Sequence, residues 1–206
     1  MTGHPKPAPP PAAKPQVWFP DTSALITLAV HPPLHEVTVD ALADKKRVLL
    51  VAVVAELEEL TRLSQPLASW AKIALGQLGW LGNPVVLDSP SGTTLASEIQ
   101  QDLAAGRALR HALEHWGESA IIALASRAIH LRPFLLSDDY DARIAAHAKG
   151  VDAMSVHKFL HLLIVKGRIT AQEAAAFSDA LRDAGRSPDF TADELRSGRL
   201  KRVGEP

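Results

Sequence analysis

Cysteine is absent from the 206 residues, which excludes a disulfide framework, a thiolate nucleophile, cysteine-ligated zinc and iron–sulfur clusters together. Any metal must sit on oxygen or imidazole. Long apolar runs are missing too: the longest, Val48 to Ala55, falls far short of the roughly 20 residues a membrane-spanning helix needs. An excess of one charge is also lacking, since 22 basic side chains face 23 acidic ones and the net charge is -1. A protein that coats nucleic acid by bulk charge is thereby disfavoured, and any such contact must be local. The first sixteen residues hold six of the fifteen prolines and two lysines but no apolar h-region, so they resemble neither a signal nor a transit peptide. They read as a disordered, partly polyproline-like tail, residues 1–16, on a cytoplasmic protein.

What is present is ordinary globular composition, 47% hydrophobic and 22% charged, in a chain long enough to bury roughly 70% of its unfolded surface. Val17-Trp18-Phe19 is a short apolar run stopped by Pro20, and Asp21-Thr22-Ser23 supplies cap-type side chains before the apolar stretch Ala24 to Val30. A strand handing over to a helix is expected there. A helix is predicted from about Leu34 to Lys46, then a doubly buried strand over Arg47 to Val54, then a helix marked by Leu57, Leu60, Leu63 and Leu67. Trp70 to Leu81 suggests another helix, Pro84 to Leu87 a third strand, and Leu95 to Trp116 a long helical region broken at Gly117. Pro133 to Leu136 is a fourth strand ending at Ser137-Asp138-Asp139, followed by a helix from Ala142 to Lys149 and a fifth strand, Val151 to Ser155. Strands alternating with helices imply an α/β fold, a central parallel sheet flanked by helices, with ligands bound beyond the carboxyl ends of the strands. Past Val156 the pattern is helical only: His157 to Lys166, Ala171 to Ala184 behind Thr170 as N-cap, and a weak segment near Ala192 to Arg199.

Four acidic positions fall where that architecture sends a site. Asp21 follows the first strand, Glu56 the second, Glu118 opens the helix after Gly117, and Asp138 or Asp139 follows the fourth strand. Singly, each is explained as a helix cap or first-turn acid, worth typically 0.3–1 kcal/mol through the helix dipole. Together they repel, by roughly 1 to 4 kcal/mol per close pair. A hard cation such as Mg²⁺ or Mn²⁺ removes that repulsion and equips the site for phosphate esters.

At these residues the chain resembles the PIN-domain ribonucleases. The match runs through Asp21-Thr22-Ser23-Ala24-Leu25-Ile26, Glu56 within Val53-Val54-Ala55-Glu56-Leu57, Gly117-Glu118-Ser119-Ala120-Ile121-Ile122-Ala123-Leu124-Ala125, and Leu136-Ser137-Asp138-Asp139-Tyr140-Asp141-Ala142-Arg143, all four in order. The resemblance implies a PIN-like three-layer nuclease domain over residues 17–165 with a C-terminal helical extension, 166–206. It further implies a divalent-metal-dependent endonuclease for single-stranded RNA, as in the VapC-type toxins of bacterial toxin–antitoxin pairs. Metal, Mg²⁺ or Mn²⁺, would sit on Asp21, Glu118 and Asp139, with Glu56 as a further ligand or water-orienting group and all four acids catalytic. Ser23 and Ser137 match hydroxyls that hold the carboxylates by hydrogen bonds. The doubled Asp138-Asp139 leaves the last ligand open, with spacing favouring Asp139. A cognate antitoxin and a second copy of the chain are the protein partners such a toxin implies.

Two rivals compete. His111-Ala112-Leu113-Glu114-His115 fits the H-x-x-E-H pattern of inverted zinc metalloproteases, a short motif that arises easily among nine histidines. A catalytically silent PIN fold serving as an RNA or protein interaction module is the other, since fold does not imply function. Arg107, Arg110 and Arg143 bracket the third and fourth motifs as candidate RNA-backbone contacts. Solvated helix faces explain them equally well. Trp18, Trp70, Trp80 and Trp116 could stack bases, but three of the four lie within apolar spacing and suit a core.

Overall fold

A computed structural model describes residues 13–186. Among them the chain forms an all-parallel four-stranded sheet flanked by helices, in the order β2-β1-β3-β4. Strand β1 spans Gln16–Pro20, β2 Lys46–Arg47, β3 Arg132–Leu136 and β4 Asp152–Met154. The sheet faces follow strict alternation. Val17, Phe19, Leu135 and Ala153 point into one apolar cluster, while Trp18, Phe134 and Leu136 point into the other. Trp18 lies opposite Phe134 in the register, and their rings stack with centroids 4.8 Å apart.

Nine α-helices are described: α1 (Thr22–Val30), α2 (Pro32–Ala41), α3 (Val51–Leu60), α4 (Leu67–Gly76), α5 (Pro90–Leu103), α6 (Trp116–Ser126), α7 (Tyr140–Ala148), α8 (Val156–Val165) and α9 (Ala171–Asp183). Helices α3 to α6 cover the first face. Helices α2, α8 and α9 cover the second. Helix α1 serves both, burying Leu25, Ile26 and Ala29 in the first cluster and Ala24 and Leu28 in the second. No helix among the described residues is long and apolar enough to cross a membrane.

Several boundaries depart from the sequence pattern. Of the run predicted as a strand over Arg47 to Val54, Arg47 alone belongs to β2, the Val48 N–H still reaches the Trp18 carbonyl at 2.9 Å, and Val51 already opens α3. Val53 and Leu57, one helical turn apart, are both fully buried, so tertiary packing overrides the β propensity of the valines. The strand expected over Pro84 to Leu87 is reduced to one isolated bridge, Leu50 to Val85. The helix expected from Leu95 to Trp116 stops at Leu103, because Gln100 donates to the carbonyls of Ala112 and Glu114 at 2.9 and 2.7 Å. That pair of bonds folds the intervening turn back onto α5. The helix expected from Leu34 runs instead from Pro32 to Ala41. The chain assigned to a tail contributes Gln16, paired with Arg132 in β3, while residues 1–12 lie outside the described residues. The segment Ala192 to Arg199 lies outside them too. Helix α9, ascribed to an extension, packs Ala174, Phe177 and Leu181 into the same cluster as Trp18 and Phe159.

Candidate metal centre at the carboxyl ends of β1 and β3

From β1 the chain crosses to β2 on one side and later returns to β3 on the other. The reversal opens a crevice between the carboxyl ends of β1 and β3, the place where open parallel sheets bind ligands. Asp21 and Asp139 flank it. Each caps the helix that follows its strand: Asp21 Oδ1 accepts from the Ala24 backbone at 2.8 Å, and Asp139 Oδ1 accepts from Ala142 at 2.9 Å. The Asp21 N–H also donates to the Leu136 carbonyl at 3.0 Å, tying the two strand ends together. Ser23 donates to both oxygens of Asp21, at 2.8 and 3.1 Å, and accepts from the Asp138 backbone at 2.8 Å. Ser137, fully buried, accepts from the Asp139 N–H at 3.1 Å.

Glu56 and Glu118 arrive from the helical layer. Glu56 Oε1 accepts from the Gly117 N–H at 2.8 Å, at the amino end of α6, where the helix dipole favours a carboxylate. The Thr22 hydroxyl donates to its other oxygen. Gly117 lets Glu56 approach this closely: a Cβ would lie 2.5 Å from Glu56 Oε2, so the carboxylate would have to shift. Glu118, in the first turn of α6, accepts from His115 Nδ1 at 2.7 Å. All four acids line one cavity of about 280 Å³, with His115 among them. Ile26, Leu60, Leu63 and Leu67 supply an apolar wall.

The electrostatics are those of crowded, buried carboxyl groups. Burial, and then the charge of Glu118, push Asp21 up to about 7. The same two causes push Glu56 up to about 8, although the Thr22 and Gly117 hydrogen bonds oppose them. His115 is raised by its hydrogen bond to Glu118. One ligand atom each from His115, Glu118 and Asp139 lie within 4.8 Å of one another. Two carboxylates, Glu118 and Asp139, with Asp21 and Glu56 lining the same cavity, suit an oxygen-ligated Mn²⁺- or Mg²⁺-like ion. These carboxylates fit the divalent ion that the resemblance implies, although Asp21, expected as a ligand, lies outside the group of three whose ligand atoms come within 4.8 Å.

The paired aspartates separate cleanly. Asp138 Oδ2 accepts from Thr27 at 2.5 Å and Oδ1 from the Val156 N–H at 2.9 Å, with Arg186 Nη2 4.0 Å away. Both oxygens are committed to joining α1 and α8. Asp139, not Asp138, lines the cavity.

The H-x-x-E-H segment lies in a turn rather than on a helix. Glu114 is buried and gripped by Arg107 at 3.1 and 2.7 Å and by the Arg110 backbone and Nε at 2.6 and 2.7 Å. These bonds, Arg107 first, hold it well below the usual carboxylate range. A carboxylate so occupied is not the free base of a zinc protease. The same bonds engage Arg107 and Arg110 within the protein, and Arg143 donates to the Ser137 carbonyl at 2.9 Å. Trp18 is core, and Trp70, Trp80 and Trp116 pack half-buried against the clusters.

Sequence reasoning missed Arg186. It donates to Thr27 Oγ1 at 2.8 Å and to the Ser23 carbonyl at 3.1 Å, and it forms part of the cavity wall. No local pattern marks an arginine whose partners are 159 and 163 residues away. His115 was visible only as half of a false zinc pair. Comparison of the chain with protein-family models, curated proteins and solved structures found no match.

Proposed function

We propose that this protein is a divalent-metal-dependent hydrolase of phosphodiester bonds, an endoribonuclease acting on single-stranded RNA in the cytoplasm. The observation that carries this reading is the meeting of four acids from four separate chain segments in one cavity, at the switch point of a parallel sheet. Asp21, Glu118 and Asp139 would hold the ion, with His115 beside them. When bound, Mg²⁺ or Mn²⁺ supplies charge neutralisation at the phosphate and lowers the pKa of a water. Glu56, fixed by Thr22 and Gly117, would orient that water. Ser23 and Ser137 keep the aspartates in place, and the apolar wall at Leu60, Leu63 and Leu67 keeps bulk water from one side of the cavity. The toxin role, with a cognate antitoxin and a homodimer, rests on the motif resemblance alone.

The test is cleavage of a labelled single-stranded RNA by the purified chain. Cutting is expected with Mg²⁺ or Mn²⁺, with none in excess EDTA and none by Asp21→Asn or Glu118→Gln. Cleavage that survives EDTA, or that both variants retain, removes the mechanism. Binding of RNA without cleavage under every metal condition would instead identify a silent interaction module.

A further inference from the structure

We propose that His115 is a positioning residue: Arg107 fixes its tautomer so that the ring donates a hydrogen bond to Glu118 and presents that carboxylate to the metal. The inference rests on the metal-site reading above and deepens it. Arg107 Nη2 lies 3.2 Å from His115 Nε2, and a guanidinium has only donors. Nε2 is therefore the acceptor, and the ring proton sits on Nδ1, the atom 2.7 Å from Glu118 Oε1. Arg107 is in turn held on two nitrogens by Glu114. A chain of contacts thus runs from Glu114 through Arg107 and His115 to Glu118. Two of its members, Glu114 and His115, belong to the segment that the sequence pattern offers as a zinc motif, put to a different use.

Backbone geometry agrees with a role that fixes direction. His115 immediately precedes α6 and adopts φ 60° and ψ 10°, a left-handed conformation few non-glycine residues take. The turn before it is anchored by the two Gln100 bonds to the Ala112 and Glu114 carbonyls. The ring is thereby brought over the first turn of α6, where Glu118 lies three residues on. A carboxylate with one oxygen engaged by a fixed donor has its second oxygen aimed, and groups that orient metal ligands in this way typically change affinity 10- to 100-fold when removed.

The left-handed backbone also supplies the test. Glycine and asparagine both tolerate this conformation, so His115→Gly deletes the ring without backbone strain, and His115→Asn restores an N–H near the Nδ1 position. Calorimetric titration of the full chain with Mn²⁺ is expected to show affinity falling about tenfold or more in His115→Gly and remaining close to wild type in His115→Asn. Arg107→Met, which frees the tautomer but keeps the ring, should fall between them. Melting curves in EDTA check that each variant is folded. Unchanged affinity in His115→Gly overturns the inference, as does equal loss in His115→Gly and His115→Asn, which would make the imidazole itself a ligand. A wild-type chain that takes up no Mn²⁺ overturns the metal site as a whole; a wild-type chain that binds it while His115→Gly binds equally well removes only the role of His115.

Discussion

Asp21 has two duties that conflict. It caps α1, yet its carboxylate is buried beside Glu118 with its pKa pushed up to about 7. From the ordinary value of 3.8 to about 7, the folded chain keeps a proton that the unfolded chain releases, so stability falls as pH rises through that window. Glu56 extends the fall towards about 8. Metal-free protein should therefore melt at a higher temperature near pH 5 than near pH 8, and Asp21→Asn should flatten that slope. Asparagine caps about as well as aspartate, so near pH 8 without metal the variant should be more stable by about 1 kcal/mol or more. In a chain of this size each such increment raises the melting temperature by about 2–4 °C. Saturating Mg²⁺ should reverse the order, since wild type gains about 2.7 kcal/mol at a hundredfold excess over Kd and the variant gains less. Melting curves in EDTA and in Mg²⁺ at both pH values decide this, and parallel shifts in the two proteins would count against a shared ion. Gly117→Ala tests the neighbouring contact. Its methyl would meet Glu56 at 2.5 Å, so activity should drop at least tenfold, with stability lowered by about 1–3 kcal/mol as overpacking usually costs.

Among the elements, the β1–α1 and β3–α7 junctions were legible because a short apolar run, a stop and a capping aspartate are local signals. The acids that cap those helices are the ones that face the cavity, so half of the candidate site could be read from punctuation alone. Val51 to Val54 misled for a physical reason: a continuous apolar run carries no period, and a buried helix looks the same as a buried strand. The turn from Ala104 to His115 misled because Gln100, a side chain inside α5, ends the helical path by bonding carbonyls beyond it. Helix α9 was recognised from Thr170 as its N-cap, which the structure completes as a capping box with Glu173, but its place in the core was not. Leu181 is fully buried against the layer that holds Trp18, so Leu181→Ala should destabilise the protein by about 2–5 kcal/mol. Denaturant unfolding measures it, and a loss below about 0.5 kcal/mol, the range of surface substitutions, would show α9 to be an appendage.

For the molecule as a whole, the sheet begins earlier than its proline content suggests. Removing residues 1–12 leaves Pro15 and Gln16 in place, whereas removing residues 1–16 strips Gln16 from its pairing with Arg132 and the Pro15 carbonyl that accepts from the Arg132 N–H. The longer truncation should melt measurably lower than the shorter one, and coincident curves would contradict the register at the start of β1. Helix α1 has a wider consequence. Because its apolar side chains are divided between the two faces of the sheet, neither half can loosen without drawing out residues that anchor the other. Unfolding should then be a single cooperative event, and amide hydrogens of α1 should exchange with deuterium only as fast as the whole chain opens. An ion held at Asp21, the first link of that helix, would slow exchange in β4 and α9 as much as beside the ion itself.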